Sequence, residues 1–440
     1  MAQDHEDKGH VTAPTSDQPE DTSRPVWQDE DDEGVATSGN AADASEPEWV
    51  RKRRRQLLEA RDRAVAGDDF VDPGALTGKL TKVKAGSRSS GVRFRIDRDN
   101  DPRHNVAVTG GVSQLGFDHT GSLLAVLGRR EKSLRLFEVD RHRSEGKHFR
   151  LKGEITSPAS PGHTVSSFAF ASNGKGILMV ADHKAVLKYD PESSSTVRIA
   201  SITNLRTEYG YRRVHTPPAP DDRGAADVFA LSCSDHGGVL LCDSRSNSIM
   251  HHFQMNATAV GVGFHLRAGI VVTADEDANV YEWDLATGRC SHKFKDDHSL
   301  RLTSFAMSPS IRAEFARHAF MVAGSQMGFL NLFPVVPDAV GGPPPSSYIA
   351  QDHVKTYGNL STAVTSIAAE DNGTFIAYAS EHKRNALRIV HNPSGCVVGN
   401  WPTEKVNLGR VTDVAFASRF STLAVGNRTG RVQFFRILTK

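Results

Sequence analysis

The chain has 440 residues, 38% of them hydrophobic and 24% charged, with a formal net charge of +1. That length and balance suit a large buried core, and no stretch approaches the roughly 18 uninterrupted apolar residues of a membrane helix: the best candidate, AVGVGFHLRAGIVVTA, carries His265 and Arg267 in its middle. The acidic start, MAQDHEDKGH, is the reverse of a basic-then-apolar secretory signal, so export is not expected. Cys233, Cys242, Cys290 and Cys396 lack CxxC spacing and histidine partners, which implies reduced thiols rather than a disulfide framework or a zinc site.

Residues 1–48 hold fourteen Asp and Glu against only Lys8 and Arg24, a net charge of −12 that leaves +13 for residues 49–440. So charged a segment, with few large apolar residues besides Trp27, cannot bury enough surface to offset its ordering entropy, and it reads as a disordered acidic tail. Residues 49–66, WVRKRRRQLLEARDRAVA, lack Pro and Gly and are rich in helix formers, which predicts a short basic helix. Its cluster Arg51, Lys52, Arg53, Arg54 and Arg55 suits nuclear targeting or a nucleic-acid contact as well as a solvated face. Residues 67–91 read as a flexible basic linker.

From residue 92 to 440 short alternating runs separated by Gly, Asp, Asn and Ser predict an all-β domain. The runs repeat: VSQLGFDHTGSLLAVLGRREKSLRLFEVD, GHTVSSFAFASNGKGILMVADHKAVLKYD, AVGVGFHLRAGIVVTADEDANVYEWDL and VTDVAFASRFSTLAVGNRTGRVQFFRI share one order of strand, polar turn, apolar strand, second turn and a third strand ending in a large residue. Aligned on that last position they give Phe137, Tyr189, Cys242, Trp283, Phe333, Val390 and Phe435, seven copies spaced 41 to 57 residues apart. Such a period is the signature of propeller blades, and the pair Gly162-His163 with the pair Trp283-Asp284 marks them as WD-type repeats. A seven-bladed WD-repeat β-propeller is therefore expected, with its longest insertions at residues 206–226 and 334–350. Val92, Phe94 and Ile96 are expected to supply a closing strand beside the last blade, whose edge is otherwise open.

Trp283 is expected to pack between blades and Asp284 to accept hydrogen bonds from turn amides. Glu138, Asp190, Asp243, Pro334, His391 and Arg436 occupy the same slot in sister repeats, so the position serves turn geometry rather than catalysis. The nucleophile elbow GxSxG, the phosphate loop GxxxxGK[ST] and the zinc motif HExxH are absent. CSDHGGVL is a partial Asp box that reads as a β-turn. His251, His252, Asp296, Asp297 and His298 read as solvated residues between blades rather than metal ligands. No catalytic residue, metal, cofactor or small-molecule substrate is expected. What remains is a docking surface on which Arg129, Arg130, Arg141, Arg143, Arg212, Arg213, Lys383 and Arg384 are candidates for RNA or partner contacts, or plain solubility charges.

VTSIAAEDNGTFIAYASEHKRNALRIVHNPSGCVVGNWP, with the final blade after it, resembles the last two blades of the U3 small nucleolar RNA-associated protein 18 family. EDANVYEWDLATGRCSHKFKDDHSLRLTSFAMS is similar to a central blade of that family, and PVWQDEDDE and QLLEARDRAVAG to its N-terminal extension. The resemblance implies a non-enzymatic nucleolar scaffold of the small-subunit processome. It would work in U3-dependent processing of the 18S ribosomal RNA precursor, with WD-repeat proteins of the UTP-B module, the U3 snoRNP and pre-ribosomal RNA as partners. Some members carry an L-F-x-x-D peptide in the tail that recruits the exosome's helicase; here the only match, Leu136 to Asp140, falls in a predicted strand with Phe137 buried. The rival reading is a WD-repeat adaptor presenting substrates to another enzyme such as a ubiquitin ligase.

Overall fold

The computed structural model describes residues 94–438, apart from 99–105, 140–148, 157–163, 203–209, 218–227, 309–318, 337–344, 418–421 and isolated positions between them. The expected acidic tail (1–48), basic helix (49–66) and linker (67–91) lie outside the described residues, as do Arg141 and Arg143. All described residues fall in one compact unit. Seven antiparallel sheets follow one another along the chain; six run from an innermost to an outermost strand in sequence order, and in the seventh the outermost strand comes from near residue 95. Blade 4 is the simplest: Ala259–His265, Ile270–Asp275, Asn279–Asp284 and Cys290–Lys295. The innermost strands of the other blades are Val112–Phe117, Val165–Phe170, Tyr211–His215, Leu302–Met307, Ser366–Ala369 and Val411–Ala417.

The period read from the sequence becomes a register in space. In every blade the residue of the tryptophan slot sits in the third strand: Phe137 opposite Leu124, Tyr189 opposite Ile177, Cys242 opposite Phe229, Trp283 opposite Val271, Phe333 opposite Met321, Val390 opposite Ile376 and Phe435 opposite Leu423. The second strands are buried on both sides, as in Ile177–Ala181, Phe320–Ser325 and Phe375–Ala379, because each blade face packs against a neighbouring blade. The core is accordingly divided into clusters, such as the one joining Val228, Val239 and Phe253 of blade 3 to Val271, Tyr281 and Trp283 of blade 4.

The ring closes on its own ends. Arg95–Arg98 pairs antiparallel with Arg431–Leu438, placing Ile96 opposite Ile437, so the N-terminal strand supplies the outer edge of blade 7 as expected. Val92 lies outside the described residues, and Phe94 precedes the strand, its ring edge-on to Phe375 of blade 6 at 5.0 Å. A second short segment, Val106–Ala107, pairs with the same strand opposite Val432 and Arg431. There Gly430, at φ +89°, lies so close that a Cβ would sit 1.9 Å from the Val108 oxygen. Only glycine combines that conformation with that approach.

Two expectations need correction. The stretch beginning at Tyr211 is not an insertion loop: Tyr211–His215 is the innermost strand of blade 3. Its buried residues, Tyr211 and Val214, are three apart because a bulge lies between Tyr211 and Arg213, which hides the two-residue alternation. The same irregularity recurs between the first and third residues of five other inner strands. His251 and His252 likewise belong to the outermost strand of blade 3, Ser248–Gln254. Asp296 is buried, its carboxylate accepting from Asn331 Nδ2 at 2.7 Å and from the His298 amide at 3.0 Å, a loop brace rather than a solvated residue.

Candidate nucleic-acid interface and the ring that carries it

The repeat markers are structural. Trp283 stacks on Phe253 of blade 3, with ring centroids 4.7 Å apart, and donates its indole N–H to Thr273 Oγ1 at 2.8 Å. Asp284 accepts from the Ala286 amide and the Thr287 hydroxyl, both at 2.9 Å. Asp190 does the same with Glu192 and Ser193, and Asp243 with Arg245 and Ser246, at 2.8 to 2.9 Å. These amide and hydroxyl bonds hold all three carboxyls below the usual carboxylate range. Each aspartate closes its own turn. Gly162 and His163 lie outside the described residues.

Along the inner strands one polar residue of each of blades 6, 7, 1 and 2 reaches toward the next blade. Ser366 of blade 6 accepts from the Val414 amide at 3.2 Å and donates to Asp413 Oδ1 at 2.6 Å. Asp413 Oδ2 accepts from the Leu115 amide of blade 1 at 2.7 Å. Gln114 accepts from the Phe168 amide of blade 2 at 3.1 Å and donates to the Phe168 carbonyl at 2.8 Å, and Ser167 accepts from the Val214 amide of blade 3 at 3.4 Å. The corresponding residue of blade 3 is Arg213, a donor, and that of blade 4 is Gly261, so the relay changes character there.

Arg213 and His215 share one side of this inner strand. Arg213 keeps solvent contact, yet protein surrounds it, and burial pulls its guanidinium below its ordinary pKa while Asp413 opposes the shift. Burial, then the positive charges of Arg213 and Arg212, pushes the His215 imidazole down to about 3. Burial raises the Asp413 carboxyl in spite of its hydrogen bonds and the attraction of Arg213.

The remaining basic candidates separate into two groups. Arg129 and Arg130 occupy the turn between the second and third strands of blade 1, Lys383 and Arg384 that of blade 6, and all four are exposed. Arg129 reaches across blade 7 to Glu381 at 2.6 Å, which brings the two turns into contact. Between them sit two residues the sequence reading passed over: Arg428, in the equivalent turn of blade 7, and Arg410, just before that blade. The signal lay in the repeat itself, since GRR, SEHKR and GNR occupy the same second turn of the shared grammar. Arg212 belongs elsewhere. It approaches Glu276 of blade 4 at 3.9 Å, and Glu276 is also bound by Arg301, so one carboxylate is shared by two guanidinium groups. Arg51, Lys52, Arg53, Arg54 and Arg55 lie outside the described residues.

Among the described residues no three His, Cys, Asp or Glu side chains gather as a metal site. Cys233 and Cys242 are buried, and burial pushes the Cys242 thiol up to about 12.

The register, the blade count and the closing strand define a closed seven-bladed β-propeller of the WD-repeat kind. The β-propeller domain of Cps50 (Swd1) from Myceliophteria thermophila matches it with a TM-score of 0.56, over 76% of this chain and 99% of that one; at 13% identity the likeness is of fold alone. No protein-family model matches the chain. Its sequence is 24% identical over 449 residues to the U3 small nucleolar RNA-associated protein 18 homolog of Mus musculus, covering 94% of this chain and 75% of that protein. It is 29% identical over 378 residues to U3 small nucleolar RNA-associated protein 18 of Saccharomyces cerevisiae, covering 79% and 60%, and 22% identical over 380 residues to the Arabidopsis thaliana homolog, covering 86% and 64%. The chain thus resembles the U3 small nucleolar RNA-associated protein 18 family along most of its length, and the matches span from 60% to 75% of these relatives.

Proposed function

We propose that this protein is a non-enzymatic scaffold of the small-subunit processome, acting in the nucleolus in U3-dependent processing of the 18S ribosomal RNA precursor and in small-subunit assembly. The observation that carries this reading is the match, over most of the chain, to proteins named for association with U3 small nucleolar RNA. The closed ring supports it, because a propeller offers rigid edges and loops to several neighbours at once. Its partners in this reading are the WD-repeat proteins of the UTP-B module, the U3 snoRNP and pre-ribosomal RNA.

Affinity purification of the tagged chain at moderate salt, probed for U3 RNA and large precursor ribosomal RNA, tests the proposal. Strong enrichment of both is expected. A protein that runs as a small free species without either RNA returns it to the class of propeller adaptors. Replacing Arg51, Lys52, Arg53, Arg54 and Arg55 with alanine is expected to reduce nuclear entry or particle association without changing the unfolding transition.

A further inference from the structure

We infer that one end of blades 6, 7 and 1 is a seat for the phosphate backbone of double-helical RNA. The inference rests on the reading that this protein works on an RNA particle, and it names the face and the form of RNA. In an antiparallel blade, the turn between the second and third strands and the connection to the next blade lie at the same end. Arg129, Arg130, Lys383, Arg384, Arg410 and Arg428 therefore share one end of three consecutive blades, and all six are exposed. Backbone hydrogen bonds join their loops into one surface: Asn385 N–H to Gly409 O at 2.7 Å, Arg428 N–H to Arg410 O at 2.9 Å, and Arg129 N–H to Gly111 O at 2.8 Å. Gly111 in turn lies against the Arg428 backbone, where a Cβ would meet its carbonyl oxygen at 2.7 Å.

Two asparagines fix these loops. Asn385, at φ +57°, accepts from the Leu408 and Gly409 amides at 2.9 and 3.2 Å. Asn427 accepts from the Thr429 amide, the Thr429 hydroxyl and the Arg431 amide at 2.7 to 3.1 Å, and donates to Leu408 O at 3.3 Å. The basic side chains thus start from anchors that binding need not order.

The described acidic residues on this arc are already engaged. Glu381 takes Arg129, while Glu131 takes Arg135 at 2.9 Å and the Thr109 amide at 2.6 Å. Among the described residues Arg130, Lys383, Arg384, Arg410 and Arg428 meet no carboxylate, so the arc holds a surplus of cations presented at fixed points. Such an array suits phosphates. Single-stranded RNA is held by bases stacked on aromatic rings or guanidinium planes as well as by charge; the exposed ring on the described part of this arc is His382, and the large apolar side chains exposed among the described residues, Val197, Met250, Leu300 and Met327, include no Phe, Tyr or Trp. Fixed cations spread over three blade ends, with no exposed Phe, Tyr or Trp among the described residues of the arc, favour a duplex.

The test uses the full chain, a 20-base-pair RNA duplex and a single-stranded oligouridine of equal length, titrated across salt. The variant carries Arg130→Ala, Lys383→Ala, Arg384→Ala and Arg428→Ala; the control carries Arg245→Ala and Arg289→Ala, in turns at the other end of blades 3 and 4. The wild-type chain and the control are expected to bind the duplex more tightly than the single strand. The variant is expected to lose roughly tenfold in duplex affinity near 0.1 M salt, and its dependence of log K on log salt to flatten by about 2 to 4. An unchanged unfolding midpoint shows that the variant is folded. Equal duplex binding by the variant, a preference for the single strand, or no duplex binding by the wild type overturns the seat. If U3 RNA still co-purifies in that case, the scaffold reading stands without it; if U3 RNA is also absent, both fall.

Discussion

Adjacent blades are stitched in two different ways around the ring. From blade 6 through blades 7, 1 and 2 to blade 3, a polar relay of Ser366, Asp413, Gln114 and Ser167 satisfies inner-strand amides of the following blade. From blade 3 to blade 5 the same positions hold Arg213 and Gly261, and the joints rely on bulk. Phe253, Trp283 and Tyr281 stack between blades 3 and 4, and Gly261 lies so near Phe305 of blade 5 that a Cβ would sit 2.7 Å from the phenylalanine Cβ. Farther out, buried Glu282 of blade 4 holds the loop of blade 5 by accepting from the Ser347 hydroxyl and the Tyr348 and Ile349 amides at 2.6 to 3.1 Å. The relay includes the blades that carry the basic arc, whereas the stacked joint joins blades 3 and 4. Directional hydrogen bonds fix inner-strand register at the closure of blade 7 on blade 1 and at the three joints beside it, while at the joints from blade 3 to blade 5 dispersion and apolar burial do more of this work along the inner strands.

The largest effect that sharpens this contrast is Trp283→Ala. It removes the stacked plate between blades 3 and 4 and is expected to cost about 3–5 kcal/mol in urea unfolding. Asp413→Ala strands the Leu115 amide and the Ser366 hydroxyl but also removes a buried carboxyl, so about 1–3 kcal/mol is expected, with Asp413→Asn losing less because it keeps an acceptor. Equal losses for Trp283→Ala and Asp413→Ala would break the comparison. Glu282→Gln is expected to cost about 1 kcal/mol and to speed amide exchange at Tyr348 and Ile349 while leaving Leu115 unchanged.

A pH series probes the seam between the two regions at His215. Its folded imidazole releases its proton at about 3, whereas the unfolded one holds it to roughly 6.5. Between those values the unfolded state binds more protons, so stability is full above about pH 6.5 and falls on acidification, at a rate for this half-buried group below about 1 kcal/mol per pH unit. Asp413, raised above its ordinary value, acts oppositely, since the native state then takes up the proton first and its contribution falls as pH rises. His215→Asn is expected to flatten the acid limb of wild-type stability, and an unchanged limb would remove His215 from the account. The smallest effect is Asp284→Ala, whose exposed turn is expected to leave the urea midpoint within experimental error.

The sequence carried the blades well, for a physical reason. A strand buried on one or both faces must repeat its apolar pattern in each copy, so even Cys242 could be placed in the tryptophan slot by spacing alone. The first strand of blade 3 was hidden because its bulge breaks the alternation that identifies a strand. The relay was illegible because its members are a glutamine, two serines and an aspartate, and their common task as acceptors appears only when the next blade is alongside. The pairing of Arg129 with Glu381 has the same origin: the partners stand 252 residues apart and meet only once blade 7 lies between them.

The closing strand also sets the order in which this protein can be completed. Arg98 lies opposite Phe435, so the strand Arg95–Arg98 stays without its partner until residues 431–438 have also been made. Blades 1 to 6 can form hairpin by hairpin from local contacts, but the last edge depends on one of the longest-range pairings in the molecule, the slowest kind to form. Until that pairing forms, Arg95–Arg98 and Arg431–Leu438 each present a bare edge at which aggregation can begin.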